Sequence, residues 1–181
     1  MSNRRVLRLT IILITGLLAG SSAAQHYDMP PGMTHEQHQA QMKREAEMKK
    51  RGNGAMGFDQ DKTTHHFFLT SNGGVIQVES NASTDTVSRD QIRSHLKKIA
   101  EQFAKGDFQA PLATHNEMPT GAESMQKLKS KIAYSYEERP NGAAVRITSS
   151  DGSAVEAVHD FLRYQIREHA TGDPLEVVNS R

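Results

Sequence analysis

Cysteine is absent from all 181 residues. That single absence excludes disulfides, thiolate metal sites, cysteine nucleophiles and iron–sulfur clusters, and with them a lipid-anchored lipoprotein. Charge of one sign is missing as well, with 22 Lys and Arg against 21 Asp and Glu. Three of the basic residues, Arg4, Arg5 and Arg8, precede the first acidic one, which leaves 19 against 21 downstream and a formal charge of −2. A chain balanced in this way has no net basic surface to release counterions from nucleic acid. No Gly-x-Ser-x-Gly elbow is present. Gly73-Gly74 fits a hairpin rather than a phosphate loop.

Long hydrophobic runs are also scarce. The longest, Leu9 to Ala19, is shorter than the roughly 20 apolar residues a membrane helix needs. It follows the basic start and precedes the small residues Gly20-Ser21-Ser22-Ala23-Ala24, the layout of a signal peptide over residues 1 to about 24. The expectation is a periplasmic or secreted protein with no stable membrane insertion after cleavage. The remainder suffices for one domain with a modest core.

Residues 25–57 form a polar segment. Thr34 and Gln37 have the spacing of a capping box, and Glu36 to Lys50 contains good helix formers, so a short helix is expected. Its apolar stripe is almost nil, which predicts mobility or docking on a partner or metal.

The α+β domain is expected over 58–176, with a disordered C-terminus at 177–181. Thr63–Thr70 and Gly74–Ser80 read as a hairpin turning at Asn72-Gly73, and Ile132–Arg139 and Ala143–Ser149 as a second turning at Asn141-Gly142. Ser88 with Gln91 signals a helix carrying Ile92, Leu96, Ile99 and Phe103, and Ser153 with Glu156 another carrying Val155, Val158, Leu162 and Ile166. Thr120 with Glu123 opens a shorter one near Gly121–Ser130, and 107–119 is expected to be irregular. Two half-apolar hairpins and two amphipathic helices are most simply buried as a four-stranded antiparallel sheet with helices on one face.

All nine histidines and seven of the eight methionines lie beyond the leader. Cleavage after Ala23 would free Ala24-Gln25-His26, whose amine, amides and imidazole suit square-planar Cu(II) or Ni(II). His35, His38 and Met42 fall on one face of the expected helix, with Met29, Met33 and Met48 nearby, and imidazole plus thioether suits copper. Within the domain, His65 alternates with Phe67 and Leu69, while His95 and His159 sit on apolar helix stripes, so the three are expected to converge. His66 would replace His65 if the register slipped by one. His115 and His169 could complete the set. Three neutral imidazoles suit copper or zinc and could serve metal-assisted hydrolysis, whereas a histidine satisfied by a backbone carbonyl needs no function. Asp59-Gln60-Asp61 could supply oxygen ligands but lacks the rest of a calcium loop.

The stretch Ala55-Met56-Gly57-Phe58-Asp59-Gln60-Asp61-Lys62-Thr63-Thr64-His65-His66-Phe67 resembles the opening of a family of small exported bacterial proteins. Gln91-Ile92-Arg93-Ser94-His95-Leu96, Gly106-Asp107-Phe108 and His159-Asp160-Phe161-Leu162-Arg163-Tyr164-Gln165-Ile166-Arg167-Glu168-His169 extend the likeness, which spans residues 51 to about 176. The resemblance carries over no functional residue. Members sometimes bear the label aspartate carbamoyltransferase, which one small domain without paired substrate-binding domains does not support.

The leading expectation is thus an exported protein that binds copper or zinc through His and Met, with no catalytic residues. The alternative is a non-catalytic module that binds an envelope protein and whose histidines are structural. A metal-dependent hydrolase ranks third.

Overall fold

The computed structural model describes residues 32–177. The expected leader, His26 and Met29 lie outside the described residues. Strands β1 (Thr63–Thr70) and β2 (Gly73–Ser80) form one hairpin, and β3 (Ala133–Arg139) and β4 (Gly142–Thr148) the other. They join through β2 and β4 into one antiparallel sheet, ordered β1-β2-β4-β3. With five α-helices among the described residues, this is the expected α+β architecture.

The hairpin loops are Ser71-Asn72 and Pro140-Asn141, one residue earlier than the Asn-Gly dipeptides suggest. Gly73 and Gly142 already belong to the ladder, opposite Thr70 and Arg139. A Cβ on Gly73 would collide with the Ile147 carbonyl, and one on Gly142 with the Val78 carbonyl. Close approach of β2 and β4 demands both glycines, and at Gly73 the φ of 144° demands one as well.

Helix α2 (Thr86–Ala104) follows the first hairpin yet packs on β4 and β3 as well as β2. Helix α5 (Gly152–Glu168) follows the second hairpin yet packs on β2 and β1. Each helix therefore covers strands of the hairpin it does not follow. Ile92, Leu96, Ile99 and Phe103 from α2 meet Val158, Phe161, Leu162 and Ile166 from α5 over Phe67, Leu69, Val78, Val145 and Ile147 of the sheet. The other sheet face presents Thr64, Gln77, Glu79, Glu137 and Arg146, none of them buried.

Two expected caps are corrected. Helix α2 is capped by Asp85, whose carboxylate accepts from Ser88 N and Ser88 Oγ. Helix α5 is capped by Asp151, which accepts from Ala154 N. In both, a carboxylate lies at the positive end of the helix, where an anion outcompetes a hydroxyl. The segment expected to be irregular contains helix α3 (Gln109–His115). Its Pro111 falls in the first turn, where the missing N–H is no loss. Helix α4 (Ala122–Lys127) begins at Gly121 without a side-chain cap, so the Thr120–Glu123 box does not form.

Helix α1 (His35–Met56) is 22 residues long, begins with the Thr34–Gln37 capping box and ends at Gly57. Contrary to a loosely attached tail, its C-terminal end docks on α3 and on the 3₁₀ turn at 60–62. Arg51 Nε donates to Thr114 O at 3.1 Å, Gln60 Nε2 donates to Lys49 O at 3.0 Å, and Met56 packs against the core. Polar tethers from Arg51 and Gln60 do here what an apolar stripe would do elsewhere. Beyond α5, Asp173 accepts from Phe67 N, and Val177 bridges Leu69 in parallel, covering the outer edge of β1.

Because Asp85 is the cap, Asp85→Ala lowers the urea midpoint. Gln91→Ala, which would break a Ser88 capping box, stays within about 0.5 kcal/mol of the parent. Urea unfolding of both variants checks this.

Candidate functional site

His65 alternates with Phe67 and Leu69 on β1, whose pairing opposite Val78 turns it under the helices. Its ring stacks on His169 at 5.3 Å between centroids with 15° between planes, and on Phe58 at 5.8 Å. His169 caps the C-terminus of α5 and meets His115 edge-on at 5.2 Å. His115 ends α3, where Asn116 takes the left-handed conformation at φ 60° and stops the helix. His95, on the apolar stripe of α2, meets Phe58 edge-on at 5.5 Å. These four histidines line one cavity of about 60 Å³ together with Met56, Phe67, Val78, Phe161 and Gln165. Among the described residues its lining has no Asp, Glu, Lys or Arg.

Burial governs the titration of this cluster. It pushes His65 down to about 4, helped by His95 and His66, and His95 down to about 4, helped by Lys98. It pushes His169 down to about 3, helped by His65 and His115. His115 is lowered too, burial outweighing its bond to Gln165 and the pull of Glu117. The four rings are therefore neutral at pH 7, the form in which imidazole donates a lone pair.

Some of those lone pairs are uncommitted. His115 Nε2 lies 3.1 Å from Gln165 Oε1, which places the ring proton on Nε2 and the lone pair on Nδ1. His115 Nδ1 is buried with no hydrogen-bond partner among the described residues, and so are His65 Nε2 and Gln165 Nε2. An unpaired buried polar atom costs about 1–3 kcal/mol. Three around one small cavity are an unusual concentration, since native interiors satisfy nearly all such groups.

Of His65, His95 and His159, expected to converge, the first two line the cavity and the third does not. His159 stands apart, its Nε2 2.9 Å from Thr70 O, where it ties α5 to the end of β1. It has the ordinary carbonyl partner of a structural histidine. His66 also lies outside the cavity, its Nδ1 2.9 Å from Asp173 Oδ1. His115 and His169 fill the place intended for His159. On α1, His35 Nε2 lies 3.0 Å from Gln39 Nε2, His38 is half-buried, and Met42 is exposed. Asp59 caps the turn at 60–62 and Asp61 pairs with Lys49, so neither reaches the cavity.

Gln165 and Met56 were not singled out from sequence. Gln165 was detectable, since it lies four residues after Phe161 and three after Leu162, a polar side chain on an apolar stripe. Met56 carried no such signal, because its contacts come from docking of α1.

As the rings stand, His65 stacks on His169, His115 meets His169 edge-on and His95 meets Phe58 edge-on. Among the described residues no three His, Asp or Glu side chains gather donor atoms around a common point. The lining also supplies no carboxylate as a general base for hydrolysis. No helix among the described residues is long and apolar enough to cross a membrane. Comparison with family models, curated proteins and solved structures finds no match for this chain.

Folded-state values below that of free histidine mean that the unfolded chain binds more protons in acid. Stability is complete above about 6.5 and declines as the pH falls toward about 4. At about pH 5, each ring displaced to about 4 costs about 2 kcal/mol. Urea midpoints taken between neutral pH and about 4 should fall steadily. His65→Phe should flatten the decline.

Proposed function

We propose that this protein is an exported metal-binding protein for copper or zinc, and that its domain site is built from His65, His115 and His169, with His95 at the margin. The observation that carries the reading is the pair of buried, unpartnered ring nitrogens, His65 Nε2 and His115 Nδ1, on one cavity. The bond from His115 to Gln165 is the kind of outer contact that orients a ligating imidazole. Neutral rings lose no proton on ligation, so binding near pH 7 meets no competition from acid. Taking up an ion requires the stacked rings to turn, and neither of those two nitrogens is held by a hydrogen bond.

His26, His35, His38 and Met42 belong to the same proposal as a separate, weaker collecting site. Export is proposed from the leader-like start and fits a chain with no thiol to oxidise.

The stacked arrangement favours a second reading, in which the histidines are a core element and the protein binds an envelope partner. Calorimetric titration of the full chain with Zn(II), Cu(II) and reductant-maintained Cu(I) separates the two. Metal binding predicts heat for at least one ion, abolished at the domain site by His65→Ala combined with His169→Ala and retained by His159→Ala. At about 100 times the dissociation constant, the bound ion should add about 2.7 kcal/mol to stability. Absence of heat with all three ions sinks the metal reading and leaves the partner module.

A further inference from the structure

The donors around the cavity are all neutral. The lining residues able to donate to a metal include imidazoles from β1, α2, α3 and the end of α5, and a single thioether, Met56. No carboxylate lines the cavity among the described residues, and cysteine is absent from the chain. A dication placed there would keep its full charge in apolar surroundings of Phe67, Val78, Leu96 and Phe161. The cost of burying an ion grows with the square of its charge, so a monocation meets a much smaller penalty. Imidazole accepts zinc and copper alike, and it is the thioether that favours the soft ion Cu(I).

Met56 owes its position to helix docking. It is the last residue of α1, followed by Gly57 at φ 77°, whose N–H closes the helix on Asn53 O at 3.0 Å. Gln60 Nε2 bonds both Lys49 O and Asn53 Oδ1, and Arg51 holds the carbonyl of Thr114, the residue before His115. The helix end bearing the thioether is thus fixed to the segment bearing His115.

We infer that the domain site is selective for monovalent copper, with Met56 supplying a sulfur ligand alongside His65, His115 and His169. This rests on the metal reading above and narrows it to one ion and one further ligand. Binding involves no electron transfer, since the ion enters and leaves as Cu(I).

The test uses the full chain with His26, His35 and His38 changed to Ala and Met29, Met33, Met42 and Met48 changed to Leu, which removes every imidazole and every thioether but that of Met1 ahead of residue 56. Cu(I) affinity is measured under ascorbate against a chromophoric Cu(I) chelator, Zn(II) affinity is measured separately, and X-ray absorption reports the atoms bound to copper. The inference expects Cu(I) to bind about 100-fold tighter than Zn(II), a sulfur neighbour at copper, and at least about a tenfold loss of Cu(I) affinity in Met56→Leu. Leu conserves volume and apolarity, so that variant should remain folded. Tighter Zn(II) binding, a copper shell without sulfur, or an unchanged Met56→Leu overturns this inference while leaving the metal reading in place. If neither ion binds, both fall.

Discussion

The pairing of β2 with β4, running from Gly73 opposite Thr148 to Glu79 opposite Gly142, joins two hairpin-helix units that could not stand alone. An isolated hairpin is marginal in water, and a lone amphipathic helix has nothing to bury against. Once the central strands meet, α2 can reach across to β3 and β4 and α5 to β1 and β2, sealing one core between them. The approach is close enough to require glycine at both ends of the shared ladder, at 73 and 142. Apolar burial at roughly 25 cal/mol per Å² then supplies the main driving force.

The candidate site is a consequence of how that core ends. Toward the outer half of β1, the aliphatic packing of Leu69, Leu162 and Ile166 gives way to imidazoles from β1, α2, α3 and α5. Phe58 and the last turn of α1 close over them. The cluster departs from the rule that each buried polar atom finds a partner, and sequences that break a local rule tend to do so where function demands it. His159 is the instructive contrast, because with a carbonyl acceptor in reach it joins α5 to the end of β1.

Much of this architecture is legible in the chain. Alternation in TTHHFFLT and in Tyr134 and Tyr136 marks strands, and the stripes Ile92-Leu96-Ile99-Phe103 and Val158-Leu162-Ile166 mark helices. Helix starts were less legible, since serine three residues before an acid or amide is a common pattern, and an aspartate just upstream outcompetes it electrostatically. Short α3 was hidden by Pro111, which reads as a breaker until it is seen in the first turn.

Residue type and spacing by themselves determined the fold class, the inward face of β1 that carries His65, and a cysteine-free donor set limited to nitrogen, oxygen and thioether sulfur. Tertiary structure alone decided which histidines share a cavity. His95, His115 and His169 lie 30 or more residues from His65 in sequence, and only the crossing of helices over opposite hairpins sets their distances. It also decided that Met56 joins them, because a polar helix reveals no docking partner through its own periodicity, and hydrogen bonds from Arg51 and Gln60 exist only once the domain has formed.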